Sequence, residues 1–226
     1  MSLLPVEAAI AAILKRVPTP VAETVALADA AGRVLLQPVV ATHDQPPFHA
    51  SAMDGYALRA ADVVTGHRLA LVGTSQAGSG FPGVLQPGQA VRIFTGAPVP
   101  EGADTVIMQE EALPDGDFVS FSVTPRQGHS VRPRGNDFAT GQVLVQPGVR
   151  LAPMQLAVAA AANAAELTAA KRPRIALLAT GDELVLPGGS LTPDQIVASN
   201  SSGLGPLLAP YAETVTDYGI ARDDRA

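Results

Sequence analysis

The stretch PPFHASAMDGYA, residues 46–57, decides how this chain of 226 residues is interpreted. Pro46 and Pro47 remove backbone donors and favour extended backbone, so the stretch begins as neither a helix nor a central strand. Asp54-Gly55 is a turn dipeptide, and the small residues around it let a ligand or another backbone approach closely. The segment predicts a hairpin turn with a solvated aspartate or a binding loop, and spacing alone favours the turn.

Composition excludes several classes of protein. The chain has no cysteine, which rules out disulfide scaffolds, thiolate metal sites and a cysteine nucleophile. A formal charge of -6 disfavours a nucleic-acid groove. Glu7 precedes Lys15 and Arg16, the wrong charge order for a secretory signal, and no apolar run is long enough to span a bilayer. We therefore predict a cytoplasmic protein that binds neither nucleic acid nor membrane.

The apolar balance of the chain predicts a partner. Mean hydropathy is +0.22 and only 16% of residues are charged, which is apolar for a monomer. One interpretation is a surface buried against a second copy, giving a homodimer. The other is a compositional habit rich in alanine and valine.

Two helical regions frame a block rich in glycine, proline and short β-type runs. Apolar spacing predicts helices over 5–17 and 151–165, with a short helix near 27–31, and Asn163 suits a left-handed helix end. Between them, β-type runs occur at 68–73, 89–94, 104–109 and 117–123, with a hairpin turn at 114–116. We predict a helical framework, residues 1–44 plus 138–172, carrying an inserted β-rich, barrel-like domain, residues 45–137.

Residues 173–226 predict part of a second domain. RIALLAT is an apolar run of the kind buried in a parallel sheet, SNSSGLGPLLAPY predicts a short helix, and ETVTDYG a second strand. Two strands and a helix do not complete a doubly wound sheet. The predicted fold class is multidomain α+β and α/β, ending in an incomplete, truncated α/β ligand-binding domain.

Six motifs in order resemble one family. SAMDGYA at 51–57 is similar to the signature of the molybdopterin molybdenumtransferase family, the MoeA and gephyrin E-domain type. RIFTGAPVPEGADTVIMQE at 92–110 and VRPRGND at 131–137 resemble its next two signatures. PRIALLATGDELVL at 173–186, SNSSGL at 199–204 and DYGIARDD at 217–224 follow in the family's order. The resemblance runs from about residue 5 to the end of the chain, and it implies the same domain arrangement.

The resemblance implies an activity and a set of functional positions. Family members transfer molybdenum from molybdate to adenylylated molybdopterin and release AMP, with Mg²⁺. The positions carried over as catalytic are Asp54, Thr95, Asp137, Glu183 and Asp223, with Glu183 and Asp223 as the metal ligands. The predicted substrate-binding residues are Arg132, Arg134, Gly181, Asp182, Ser199, Asn200 and Ser201.

Ordinary physical roles compete with these assignments. Arginine forks suit molybdate or phosphate, but Arg132 and Arg134 could be a surface pair. Hydroxyls and free N–H groups before a helix make an anion site, but the run from Ser199 could be an ordinary helix cap. The acidic pairs could be solvated loop charges, and Thr95 could belong to a structural turn. The four histidines show no ligand spacing and receive no role.

Two functions stay open at this stage. The intact parent is predicted to be the transferase, with this chain itself truncated and inactive, and the molybdopterin adenylyltransferase is a further candidate partner. The alternative is a dimerisation scaffold or binding module with a vestigial ligand domain. Sequence does not decide between molybdate and tungstate.

Overall fold

The computed structural model describes residues 4–64 and 66–224. Residues 40–144 form one compact unit, and the residues up to Val39 together with those from Val145 form the other. The predicted three-domain division stays a prediction. The helices are α1 Val6–Leu14, α2 Pro153–Ala161 and α3 Asn200–Leu208, with 3-10 turns at Leu27–Asp29, Ala60–Asp62, Gln109–Glu111 and Ala209–Tyr211. The strands are β1 Ala22–Ala26, β2 Val39–Val40, β3 Ala50–Ser51, β4 Gly55–Leu58, β5 Leu69–Ser75, β6 Gln89–Ile93, β7 Thr105–Met108, β8 Ala112–Asp115, β9 Phe118–Phe121, β10 Val131–Arg132, β11 Val143–Val145, β12 Glu166–Ala170, β13 Arg174–Thr180, β14 Leu184–Val185, β15 Ile196–Val197 and β16 Thr214–Ala221.

The unit of residues 40–144 is built on a curled six-stranded sheet with the order β7-β4-β6-β5-β9-β8. Strands β5 and β6 pair parallel, and the other neighbours pair antiparallel. The four predicted β-type runs correspond to β5, β6, β7 and β9, so the β-rich prediction is confirmed. Within the described residues β7 and β8 are the edges of this sheet, which is open rather than a closed barrel.

Both faces of the central strand β4 are buried. Tyr56 and Leu58 belong to one core cluster, which Leu69 and Val119 also join. Ala57, between them in sequence, belongs to a second cluster on the other face of the strand. Burial on both faces fixes the register of β4, and the loop that precedes it, with Asp54, is fixed at the same time.

The predicted helical framework is not supported. Helices α1 and α2 are nine residues each, shorter than predicted, and only a 3-10 turn forms at Leu27–Asp29. Strands β1 and β12 pair antiparallel where helix-favouring alanines are common. Leu167 and Ala169 on β12 are buried and alternate with more exposed residues, so packing overrides the helix propensity of alanine.

The end of α2 agrees with the sequence prediction. Pro153 is its first residue, and Asn163, just past its last turn, has a φ of 64°. Asparagine tolerates this left-handed conformation, and it stops the helix there.

The predicted β-α-β unit is confirmed by the structure of residues 173–224. Strands β13 and β16 pair parallel, and α3 lies between them in sequence and packs on both. The expectation that RIALLAT is fully buried is wrong, because exposed and half-buried residues alternate along β13. Among the described residues β13 pairs only with β16, so its outer side chains stay uncovered.

Within the part of the chain that the structure describes, no helix has the length and hydropathy needed to cross a membrane.

Candidate active site

Asp54 lies on the bend that enters β4, and the next residue, Gly55, lets β4 approach β7 closely. Gly55 is the first residue of β4, opposite Met108 of β7. A Cβ on Gly55 would collide with the carbonyl group of Ile107, whose carbon would lie 2.8 Å away. Only glycine fits this close approach of two backbones, which gives the Asp54-Gly55 dipeptide of the signature a physical reason.

Asp54 and Thr95 are joined by two hydrogen bonds. The backbone N–H and the hydroxyl of Thr95 each donate to Asp54 Oδ1 over 2.7 Å. Thr95 follows β6, which pairs with β4, so the sheet brings together two residues that are 41 positions apart. The structure thus unites two of the residues that the sequence predicted as catalytic.

The electrostatics of Asp54 favour the carboxylate. The Thr95 backbone N–H and hydroxyl, with a smaller contribution from the charge of Arg92, hold the pKa of Asp54 below its usual 3.8. Asp54 is exposed, and its Oδ2 has no hydrogen-bond partner among the described residues. The site therefore presents to solvent one oxygen of a carboxylate whose pKa is lowered. The hydroxyl hydrogen of Thr95 is committed to Asp54, so in this geometry it does not serve an oxyanion.

Arg134 is held by a carboxylate that sequence reasoning missed. Its Nε donates to Asp44 Oδ2 over 2.6 Å. The other oxygen, Asp44 Oδ1, accepts the backbone N–H and the hydroxyl of Thr140, each over 2.8 Å. These Thr140 bonds, followed by Arg134, lower the pKa of Asp44 to about 2. The charge of Arg134 is thus already matched within the unit.

Arg132 and Asp137, unlike Arg134, form no ion pair with the described residues. Arg132 pairs with Ala50 through the backbone, and its exposed side chain makes no hydrogen bond or ion pair with the described residues. The backbone N–H of Asp137 donates to Gln45, and its carboxylate accepts the Asn136 amide over 3.3 Å. No hydrogen bond joins Asp137 to Asp54 or Thr95 among the described residues.

Two further residues of this unit went unassigned by sequence reasoning. The Nδ1 atom of His49 accepts the backbone N–H of Arg134 over 3.3 Å, and His49 lines an open cavity of about 770 Å³ with apolar walls. Arg92 lies in the RIFTGAP motif and donates from Nη1 to the Gly55 carbonyl over 2.9 Å. Its position three residues before Thr95 on a strand was the available signal.

Asp182 and Asp223 meet beyond the carboxyl ends of β13 and β16, as predicted for an open α/β sheet. The backbone N–H of Asp223 donates to Asp182 Oδ1 over 3.1 Å. Gly181 has a φ of 146°, and a Cβ there would lie 2.5 Å from the carboxylate of Glu183. Gly181 therefore leaves space that the Glu183 carboxylate occupies, and substrate binding at Gly181 stays a prediction.

The predicted metal ligands do not form a complete site by themselves. Among residues 4–64 and 66–224, no group of three or more His, Cys, Asp or Glu residues could hold a metal ion. Mg²⁺ requires six oxygen ligands in near-octahedral geometry. Such sites usually take one or two carboxylates and complete the set with waters and substrate phosphates, so Glu183 and Asp223 have the chemistry of such ligands, and the Mg²⁺ assignment stays a prediction.

The predicted serine and asparagine anion site begins α3. Ser199 is the residue before the helix, and its side chain makes no capping hydrogen bond. Asn200 opens the helix, while Ser201 is half-buried and lines a cavity of about 350 Å³ together with Asp217. The ordinary capping role is therefore not realised, and ligand binding by these residues stays a prediction.

Comparison with known proteins gives the family. A family model described as the MoeA N-terminal region (domain I and II) matches residues 4–163. The chain belongs to the MoeA family. The resemblance drawn from the motifs is thereby confirmed.

Relatives and solved structures agree with the MoeA assignment. The molybdopterin molybdenumtransferase of Nostoc sp. is 39% identical over 207 residues, covering 89% of this chain and 48% of the relative. The enzyme of the same name from Haemophilus influenzae is 36% identical over 157 residues, covering 69% and 39%. The molybdopterin biosynthesis MoeA protein of Pyrococcus horikoshii superposes with a TM-score of 0.83 at 30% identity, over 99% of this chain and 58% of that one. The chain thus spans about half the length of the curated relatives it matches.

Proposed function

We propose that this protein acts in molybdenum cofactor biosynthesis, as part of a molybdopterin molybdenumtransferase that moves molybdenum from molybdate to adenylylated molybdopterin and releases AMP. Membership of the MoeA family and the names of its relatives support the proposal. The observation that carries it is the Asp54–Thr95 pair, in which two signature motifs meet and one carboxylate oxygen stays open.

The chemistry of this pair suits orientation rather than proton transfer. The lowered pKa of Asp54 keeps it ionised near neutral pH, so it has no proton to give. Its open oxygen can accept a hydrogen bond from a water or hydroxyl, or contact a cation. Thr95 holds the other oxygen in place, which fixes the direction in which the open oxygen points.

The substrates demand positive charge. Molybdate is a dianion and the adenylate carries a phosphoanhydride, so cations must offset their repulsion. Arg132 is exposed and unpaired among the described residues, whereas Arg134 is already bound to Asp44. We assign anion binding to Arg132 and a structural role to Arg134. Mg²⁺ dependence, with Glu183 and Asp223 as ligands, is part of the proposal.

AMP release tests this proposal. The complete gene product would receive molybdate, Mg²⁺ and adenylylated molybdopterin, with a parallel reaction in EDTA. We expect molybdate-dependent AMP release that Asp54→Asn abolishes and that Arg132→Gln reduces more than Arg134→Gln does. AMP release that ignores molybdate, or equal loss in both arginine variants, would contradict these roles.

Homodimerisation is the proposed assembly, and α1 supports it. No residue of this helix is buried, and Ile10, Ile13 and Leu14 are 51%, 64% and 65% exposed. Their spacing puts them on one face, an apolar stripe that a second copy would cover. A stable dimer of this kind buries on the order of 2,000 Å². The molybdopterin adenylyltransferase as a partner and a cytoplasmic location remain part of the proposal.

Sedimentation velocity at micromolar concentration tests the dimer. We expect a dimer for the wild type and a monomer for Ile10→Glu with Ile13→Glu. Ala8→Glu, on the opposite face of α1, should stay dimeric. A wild-type monomer would refute the dimer, and so would a double variant that still dimerises. A pure scaffold would dimerise in the same way but fail the AMP assay.

A further inference from the structure

Arg92 connects the two loops that carry Asp54 and Thr95. It lies on β6, directly opposite Tyr56 of β4. Its Nη1 donates to the carbonyl of Gly55 over 2.9 Å, and its Nη2 donates to Gln109 Oε1 over 2.5 Å. The guanidinium therefore binds the backbone carbonyl of Gly55, the residue that directly follows Asp54 in the chain.

Two aromatic rings hold the guanidinium in place. The Arg92 Cζ atom lies 5.1 Å from the ring centroid of Tyr56 and 4.9 Å from that of Phe94. Both distances are within the range of cation–π attraction. Phe94 directly precedes Thr95, so the second ring ties Arg92 to the other half of the pair.

Gln109 forms hydrogen bonds with both Arg92 and Asp54. Its side chain accepts from Arg92, and its backbone N–H donates to the carbonyl of Asp54 over 3.0 Å. Gln109 follows β7, the other neighbour of β4. Strands β4, β6 and β7 are thus linked at their ends around Asp54 through one guanidinium.

We propose that Arg92 is a positioning residue, whose forked hydrogen bonds and two ring contacts hold the Asp54 turn and the Thr95 loop at the separation that joins them. Its relevance to catalysis rests on the proposed transferase function; its structural effect on the pair does not. Geometry, rather than charge, is the property it supplies. Lysine at this position would keep the charge but could not reproduce the planar fork.

The positive charge of Arg92 also lowers the Asp54 pKa. The experiment must therefore separate this electrostatic effect from the positioning of Asp54 and Thr95. The largest causes of the lowered Asp54 pKa are the two Thr95 hydrogen bonds, and the direct influence of Arg92 is smaller. A purely electrostatic Arg92 would be replaced by lysine without loss. A positioning Arg92 would not, because the Thr95 bonds themselves would loosen.

Carboxyl-detected NMR titration of Asp54 and hydrogen exchange of the Thr95 amide provide the test, on the 226-residue chain. We expect Arg92→Lys and Arg92→Gln both to raise the Asp54 pKa toward 3.8 and to speed Thr95 exchange by about tenfold. Arg68→Gln is the matched control, because Arg68 also lies over a ring, that of Phe118, and pairs with an exposed aspartate. It should change neither quantity.

Two results would overturn the proposal: unchanged Asp54 titration and Thr95 exchange in Arg92→Gln, or full rescue of both by lysine. If Arg92→Gln fails to fold, Arg92→Lys and Gln109→Leu carry the same test. In the complete gene product the Arg92 variants should lower kcat for AMP release with KM little changed. A wild type without AMP release would refute the proposed function and leave the NMR result standing.

Discussion

Replacing Gly55 by alanine should destabilise the β-rich unit more than a glycine-to-alanine change elsewhere in the same sheet. The new Cβ would lie 2.8 Å from the Ile107 carbonyl carbon and 3.0 Å from the Met108 Cα. Since ordinary contact begins near 3.4 Å, β7 would have to retreat by at least several tenths of an ångström at these two points, and further at the Ile107 carbonyl oxygen, which would lie closer still. Neither atom can rotate away, because both belong to the backbone of a paired strand.

The magnitude follows from overpacking. Forcing an extra methyl into a packed site costs about 1–3 kcal/mol, and the reduced freedom of the unfolded chain returns about 0.5 kcal/mol. The net loss is about 1.5 kcal/mol, which lowers the melting temperature of a unit of this size by roughly 8 °C. Since Gly55 follows Asp54 directly, the displaced strand should also raise the Asp54 pKa toward 3.8.

Gly73→Ala is the matched control for the assay, thermal unfolding followed by circular dichroism. Gly73 lies on β5 of the same sheet, and its Cβ would meet the ring of Phe81 at 2.7 Å. A half-buried side chain can turn aside at a cost of about 1 kcal/mol or less. If Gly55→Ala proves as stable as Gly73→Ala, the close approach of β4 and β7 is not the reason for glycine in the signature.

Two other changes test the aspartate environments. Thr95→Val removes the hydroxyl donor, so the Asp54 pKa should rise toward 3.8 in an NMR titration, whereas Thr95→Ser should leave it low; equal titration of both variants would contradict the bond. Asp44 has a folded pKa of about 2, so its contribution to stability is complete above its unfolded pKa of 3.8 and is lost as pH falls toward 2. Thr140→Val should raise that pKa and weaken the pH dependence of stability over this window, and no change would refute the assignment.

Local patterns in the sequence were sufficient for much of the β-rich unit. The run at 117–123 alternates apolar and small polar residues, and it forms β9 in a hairpin with β8. Gly116 in the connecting turn has a φ of 59°, a conformation that glycine adopts without strain. Asn163 at the end of α2 is a similar case. Each of these signals lies within a few residues of the structure it specifies.

Pairing between distant segments left no comparable signal. Residues 22–26 and 166–170 each hold two alanines and were predicted only as parts of the helical framework, yet Val25 pairs with Leu167 across a two-stranded sheet. Alanine carries weak preferences that tertiary packing overrides. The framework was therefore predicted as helical when the pairing of β1 and β12 is a large part of it.

In the candidate site, too, the identity of the residues could be predicted, whereas contacts between distant residues could not. Its individual residues could be assigned by resemblance to the family's motifs, but their contacts could not be read from spacing. Asp54 and Thr95 meet because β4 and β6 pair. Asp44, in the unremarkable segment THDQPP, gave no indication that it would take the charge of Arg134. Whether Arg132 or Arg134 is the arginine paired with Asp44 depends on which distant residues the fold brings together.

The proposed role of Asp54, held by Thr95, is in a molybdenum transfer reaction. The most direct measurement compares molybdate-dependent AMP release by the complete gene product carrying Asp54→Asn or Asp115→Asn. Asp115 is an exposed aspartate, the last residue of β8, and it is paired with Arg68. We expect Asp54→Asn to lose AMP release while its melting temperature is kept, and Asp115→Asn to match the wild type. Full activity in Asp54→Asn, or no AMP release by the wild type, would contradict this role.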